Sequence, residues 1–181
     1  MVHPASLRGA PALLIVLLVC AGCGSSGSSK VSASTYVKSV CSAISPLERD
    51  VGNRLSALGG SSATNAAEAK KTLQDFLGAI AQDSDQAVSH LRSAGTPDIT
   101  NGHTVAGAIV RAFTELRDAM RVAVTKSQSL PTDSAASFNS AAQALTTSVR
   151  GSLNSIDASG LTNPELEKAA AKEPACKSLN S

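Results

Sequence analysis

Thiols and imidazoles have the widest chemistry of any side chains here, and there are few of them: Cys20, Cys23, Cys41, Cys176, His3, His90 and His103. A zinc site needs three or four such groups converging, usually as pairs at short spacing. Neither His90 nor His103 has a Cys, His or carboxylate at ligand spacing on its own helix face. No metal and no cofactor are expected. Asp83-Ser84-Asp85 begins like a calcium loop, but Gln86 and Ala87 follow, and no glycine or late glutamate completes it. It reads as the charged flank of a helix. Ser89 beside His90 is not a nucleophile with its base, because adjacent residues on a helix point in different directions. A Gly-x-Ser-x-Gly elbow and a phosphate-cradling glycine loop are both missing from the sequence. No catalytic residue is assigned. Base or sugar stacking wants exposed aromatics, and beyond three Phe only Tyr36 could serve. With a formal net charge of +2, nucleic acid is not an expected partner.

The first two cysteines belong to an export signal. His3 and Arg8 give a weakly basic start, and the apolar run from Ala12 to Val19 follows. A run of about eight residues is too short for a hydrocarbon layer of about 30 Å. Cys20-Ala21-Gly22-Cys23 then resembles a bacterial lipobox, in which diacylglycerol is attached to a cysteine and the chain is cut just before it. Ala21 and Gly22 match the small-residue positions, although Cys20 stands where such motifs prefer Leu. Lipidation at Cys20 itself would put Val19 at the cut, a poorer match. An ordinary secretory signal is the alternative. On the lipobox reading, residues 1–22 are signal peptide and residues 23–33, rich in Ser and Gly, are a lipidated flexible tether. The expected location is the extracytoplasmic face of the cell membrane, with the bilayer as partner through lipid on Cys23.

Cys41 and Cys176 remain near opposite ends of the mature chain. An exported compartment is oxidising, so an even pair reads as a disulfide, with two free thiols as the alternative. The chain needs such a staple. Of the 159 residues after the signal, only 31 are Leu, Ile, Val or Phe, which is close to the composition at which chains stop folding.

Four stretches carry apolar residues at helical intervals. The first, from about Ser34 to Leu58, has Tyr36, Val37, Val40, Cys41, Ile44, Leu47, Val51, Leu55 and Leu58 on one side, a kink expected at Pro46, and Gly59-Gly60 as its end. The second runs from about Asn65 to Ser93 and opens with a capping box of Asn65 and Glu68. Ser84 falls inside its apolar stripe, where its hydroxyl is expected to bond back to Ile80. The third runs from near Asn101 to about Gln128, with Val105, Ile109, Phe113, Leu116, Met120 and Val124 inward and Arg111, Glu115 and Asp118 as an ion-paired outer face. The fourth, capped by Asp133, carries Phe138, Leu145, Val149, Leu153 and Ile156. A short helix opening at Thr162-Asn163-Pro164-Glu165 returns the chain towards the first, Pro174 ends it and Cys176 locks the tail. The expected fold of residues 34–179 is all-α: a four-helix up-down-up-down bundle with a short C-terminal helix and one disulfide.

Taken together, these features resemble a group of small actinobacterial secreted helical lipoproteins. The shared points are the lipobox and Ser-rich tether, Tyr36-Val37 with Val40-Cys41 and Pro46, Ala94-Gly95-Thr96-Pro97 with Gly102, and Pro174-Ala175-Cys176. The group has no established activity, so the resemblance implies architecture and location without chemistry. Two functions stay open. One is a non-catalytic interaction or structural module that meets a cell-envelope protein through a helix face or through the loop bearing Asp98, Thr100, Asn101 and His103. The other is a carrier for an apolar, lipid-like ligand held inside the bundle.

Overall fold

The computed structural model describes residues 29–60, 64–156, 161–177 and 179. The signal segment, Cys20, the proposed lipidation site Cys23 and residues 24–28 lie outside the described residues. Helix takes up 79% of what is described, in six segments. The four amphipathic stretches fold as α1 (Ala33–Gly60), α2 (Ala66–Ser93), α3 (Gly102–Ser127) and α4 (Ala135–Asn154). Two short helices, α5 (Pro164–Ala170) and α6 (Pro174–Lys177), complete the chain. No described helix is long and apolar enough to cross a membrane.

Local chemistry accounts for most of these boundaries. Ser32 Oγ accepts the Thr35 N–H at the head of α1, and the helix then continues through Pro46 as one element to Gly60. Asn65 caps α2 by accepting the Glu68 N–H at 2.9 Å. The Glu68 carboxylate reaches one residue further back than expected, taking the N–H of Thr64 rather than that of Asn65. Ser84, fully buried, donates to the Ile80 carbonyl at 2.7 Å, as its place in the stripe requires. Two expectations are corrected. The cap of α4 is Ser134, not Asp133, which accepts the Ser137 hydroxyl instead. Pro174 does not simply end a helix; it opens α6, and in doing so aims Cys176 at α1.

Between α2 and α3 the chain makes a contact that periodicity does not announce. Lys30–Val31 (β1) pairs in parallel with Thr96–Pro97 (β2). The Thr96 N–H donates to the Ser29 carbonyl at 3.1 Å and the Asp98 N–H to the Val31 carbonyl at 2.7 Å. Residues 29–33, read from sequence as tether, thus carry defined structure, and α1 begins at Ala33. Glycine is required on both sides of this loop. Gly95 sits at φ +82°, where an added Cβ would lie 2.8 Å from the Ser29 carbonyl oxygen, and one on Gly102 would meet the Pro97 carbonyl oxygen at 2.0 Å.

Two apolar clusters hold the helices together. One gathers Leu47, Leu77, Ile80, Met120, Phe138 and Leu145 from α1 to α4. The other gathers Tyr36, Val37, Cys41, Val105, Leu166 and Cys176, so it draws in α5 and α6. Buried Ala81, Ala87, Ala108, Ala112 and Ala123 line α2 and α3, whose backbones make the most extensive approach in the molecule. Small side chains there let two helices come close, which offsets the shortage of large ones. Helix α1 packs on α2, α5 and α6, and α4 packs mainly on α3. The Cys41–Cys176 disulfide is formed, with an S–S distance of 2.04 Å and a sequence separation of 135.

Candidate functional site

An open groove lies between α1 and α2. Its volume is about 390 Å³, its floor is Ala43, Leu47 and Ala94, and its walls carry Ser42, Asp83, Gln86 and His90. Its shape follows from sequence. Small residues on both helices leave the floor shallow, and Pro46, which has no N–H to donate, faces the opening from α1. Several of its hydroxyls are already engaged: Ser39 donates to the Thr35 carbonyl at 3.0 Å and Ser93 to that of Ser89 at 3.1 Å. Groups that can address a partner include Gln86 and His90, both exposed, and the carboxyl of Asp83.

Asp83 is the unusual member. Its Oδ2 is buried and meets no N–H or hydroxyl donor among the described residues. Burial, together with the bond and charge of Asp50 across the α1–α2 seam, pushes its carboxyl above the ordinary range. Asp50 moves the other way, because the Arg54 guanidinium one turn along α1 pairs with it and favours its charged form. Two carboxyls driven apart in this manner resemble an acid–base pair. What the pair can do chemically is share one proton across the seam, or let Asp83 accept bonds from a cationic or hydroxyl group entering the groove.

The sequence-derived candidates are dispersed. His103 lines a separate hollow of about 220 Å³ with Leu91, Arg92 and Thr96, away from His90. Among the described residues no three of His, Cys, Asp and Glu converge to hold a metal. Asp98 takes Lys30 in an ion pair of 2.9 Å, Asn101 stands at φ +59° without a side-chain capping bond, and Thr100 is exposed. Of the expected outer face, Arg111 and Asp118 are exposed and Glu115 is half-buried; Asp118 pairs with its neighbour Arg117 at 2.7 Å, and Arg121 reaches Asp85 of α2 at 2.6 Å. Asp85 is thus part of a clasp between α2 and α3. Tyr36, the stacking candidate, is only 1% exposed and so presents no ring face for stacking. An apolar cavity near it, lined by Val37, Val40, Ile109 and Leu166, measures about 180 Å³. Sequence reasoning passed over Asp50 and Gln86, and it grouped Asp83 with Asp85 although the two face different helices.

No protein-family model matches the chain, and no curated protein or solved structure matches it either.

Proposed function

We propose that this chain is a membrane-anchored extracytoplasmic lipoprotein, attached through lipid on Cys23, whose helical body is a non-catalytic interaction module. Its four long helices form an up-down-up-down bundle, since short connections favour antiparallel neighbours. The groove between α1 and α2 receives a segment of a cell-envelope protein. The observation that carries this is the character of the groove: open, walled by Asp83, Gln86 and His90, and set on two 28-residue helices. A rigid, shallow, mixed surface of that kind suits a protein segment bearing a basic or hydroxyl side chain. The carrier reading is weaker. The apolar cavity beside Tyr36, at about 180 Å³, falls below the range of about 300–1,000 Å³ usual for small-molecule sites.

Two measurements test the proposal. Fractionation should place the wild type in the membrane and release Cys23→Ala from it; a Cys23→Ala form that stays in the membrane with the same mature N-terminus defeats the anchor. A photo-crosslinking residue at Gln86 should give a reproducible adduct in intact cells that Arg150, exposed on α4, does not give and that Asp83→Lys abolishes. Identical adduct patterns from both positions would remove the groove from the account.

A further inference from the structure

We infer that the end of the domain built from β1, β2 and the head of α1 is seated against the bilayer; this rests on lipid attachment at Cys23. The occupant of that surface follows from how little chain is left to reach it. Ser29 is only the sixth residue after Cys23. Fully extended, six residues span at most about 21 Å, and as a coil about 13 Å.

The chain is held to the domain ahead of the first turn of α1. Ser29 is already tied down, its carbonyl accepting the Thr96 N–H at 3.1 Å, just before that of Val31 accepts the Asp98 N–H at 2.7 Å. Lys30 Nζ closes the clasp on Asp98 at 2.9 Å. Gly95 is shaped to the passing strand: a Cβ there would also lie 3.3 Å from Val31 Cγ1. Were β1 released, the span from Cys23 would run to Ser32 and reach about 32 Å. The clasp thus shortens the anchor by a third and fixes its exit point on the α2–α3 connection.

Orientation follows. Val31 and Ile99 pack on the cluster of Tyr36, Cys41 and Cys176, so the disulfide and α5 share the anchored end. Helix α3 rises from it over 26 residues, about 39 Å, and puts the turn at Leu130 and Pro131 far from the membrane. The α1–α2 groove opens between, with Ser39 and Ser93 at its near end.

The test uses full-length lipidated protein in vesicles of phosphatidylcholine and phosphatidylglycerol that carry an energy-transfer acceptor on the lipid headgroup. A donor dye is placed at Thr100→Cys or, separately, at Thr132→Cys, both exposed in the wild type. Transfer from Thr100 should exceed that from Thr132 on the order of threefold or more, given the length of α3. Gly95→Val, which opens the clasp, should bring the two efficiencies together. So should a Gly-Ser insertion of about ten residues after Ser26, which leaves every folded residue intact and extends the anchor by about 35 Å. Equal transfer from the two positions in membrane-bound wild type, or greater transfer from Thr132, overturns the orientation and leaves the anchor standing. Failure of the wild type to stay on vesicles, matching Cys23→Ala, overturns both.

Discussion

Tyr36 lies in the apolar cluster around the disulfide, and burial pushes its phenol up to about 12. Its unfolded value is near 10, so the stability it lends is whole below about pH 10 and drains away as pH rises towards 12. The loss across that window should be roughly 2–3 kcal/mol, read as a falling urea midpoint between pH 9 and 11.5. Since the chain has one tyrosine, absorbance near 295 nm reports it alone. A spectroscopic midpoint near 10 would show that the ring is not buried. Asp83 gives a second pH dependence with the same sign. Its carboxyl is raised, so its contribution is present at acid pH and lost as pH rises through the folded value. Asp83→Asn keeps the shape, removes the charge from the seam and offers Asp50 a donor. It should stabilise the protein at pH 7 by a few tenths to about 1 kcal/mol, with the advantage shrinking at pH 4. Asp50→Asn, which strips Arg54 of its partner, should destabilise at pH 7. A wild type more stable than Asp83→Asn at pH 7 would mean that the seam does not penalise the charge.

Among the elements, two glycines of α3 separate a tertiary demand from helix propensity. Gly102 opens the helix with no room for a Cβ, while Gly107, exposed one and a half turns on, has nothing within 4 Å. Gly102→Ala should cost roughly 1–3 kcal/mol, because the Pro97 carbonyl must move and β2 with it. Gly107→Ala should gain about 0.5–1 kcal/mol by restricting the unfolded chain. Thermal melts of the two variants ought to shift in opposite directions; a matching shift would contradict the contact at Gly102. The same contrast explains what was legible from sequence. Helix existence and the Asn65 and Ser84 bonds depend on residues within a turn of one another, and they were read correctly. The choice of Ser134 over Asp133 was not, because both cap well and only the final turn geometry decides. Periodicity names a helix face but not how far its neighbour extends. Leu55, on the expected inner side of α1, is 54% exposed, and Leu153 on α4 is 36% exposed. The β1–β2 pairing joins residues 66 apart, and the Asp50–Asp83 contact crosses between helices. Neither leaves a local trace, which is why the clasp on residues 29–31 and the groove carboxyl had to come from the fold.

Across the whole molecule, the disulfide decides how the two apolar clusters share the work of stability. The cluster of Leu47, Leu77, Met120 and Phe138 draws on four long helices. Its counterpart around Tyr36 depends on α5 and α6, helices of 7 and 4 residues that have no stability alone. Cys176 on α6 is bonded to Cys41 on α1 at a separation of 135, so the bridge brings the chain's tail back to its first helix. Chain entropy assigns a loop of that length about 4–5 kcal/mol, a large share of the 5–15 kcal/mol typical of a domain. Reduction, or Cys41→Ser with Cys176→Ser, should therefore lower the melting temperature by roughly 10–15 °C. The damage should also be uneven. Amide exchange in the reduced protein should accelerate first in α5, α6 and the head of α1, while Leu77, Ile80 and Met120, packed in the other cluster, stay protected. A shift under about 3 °C would assign the bridge to surface decoration. Uniform acceleration through all helices would mean instead that the two clusters unfold as one unit, with the lean core of α2 and α3 too weak to outlast the loss of its staple.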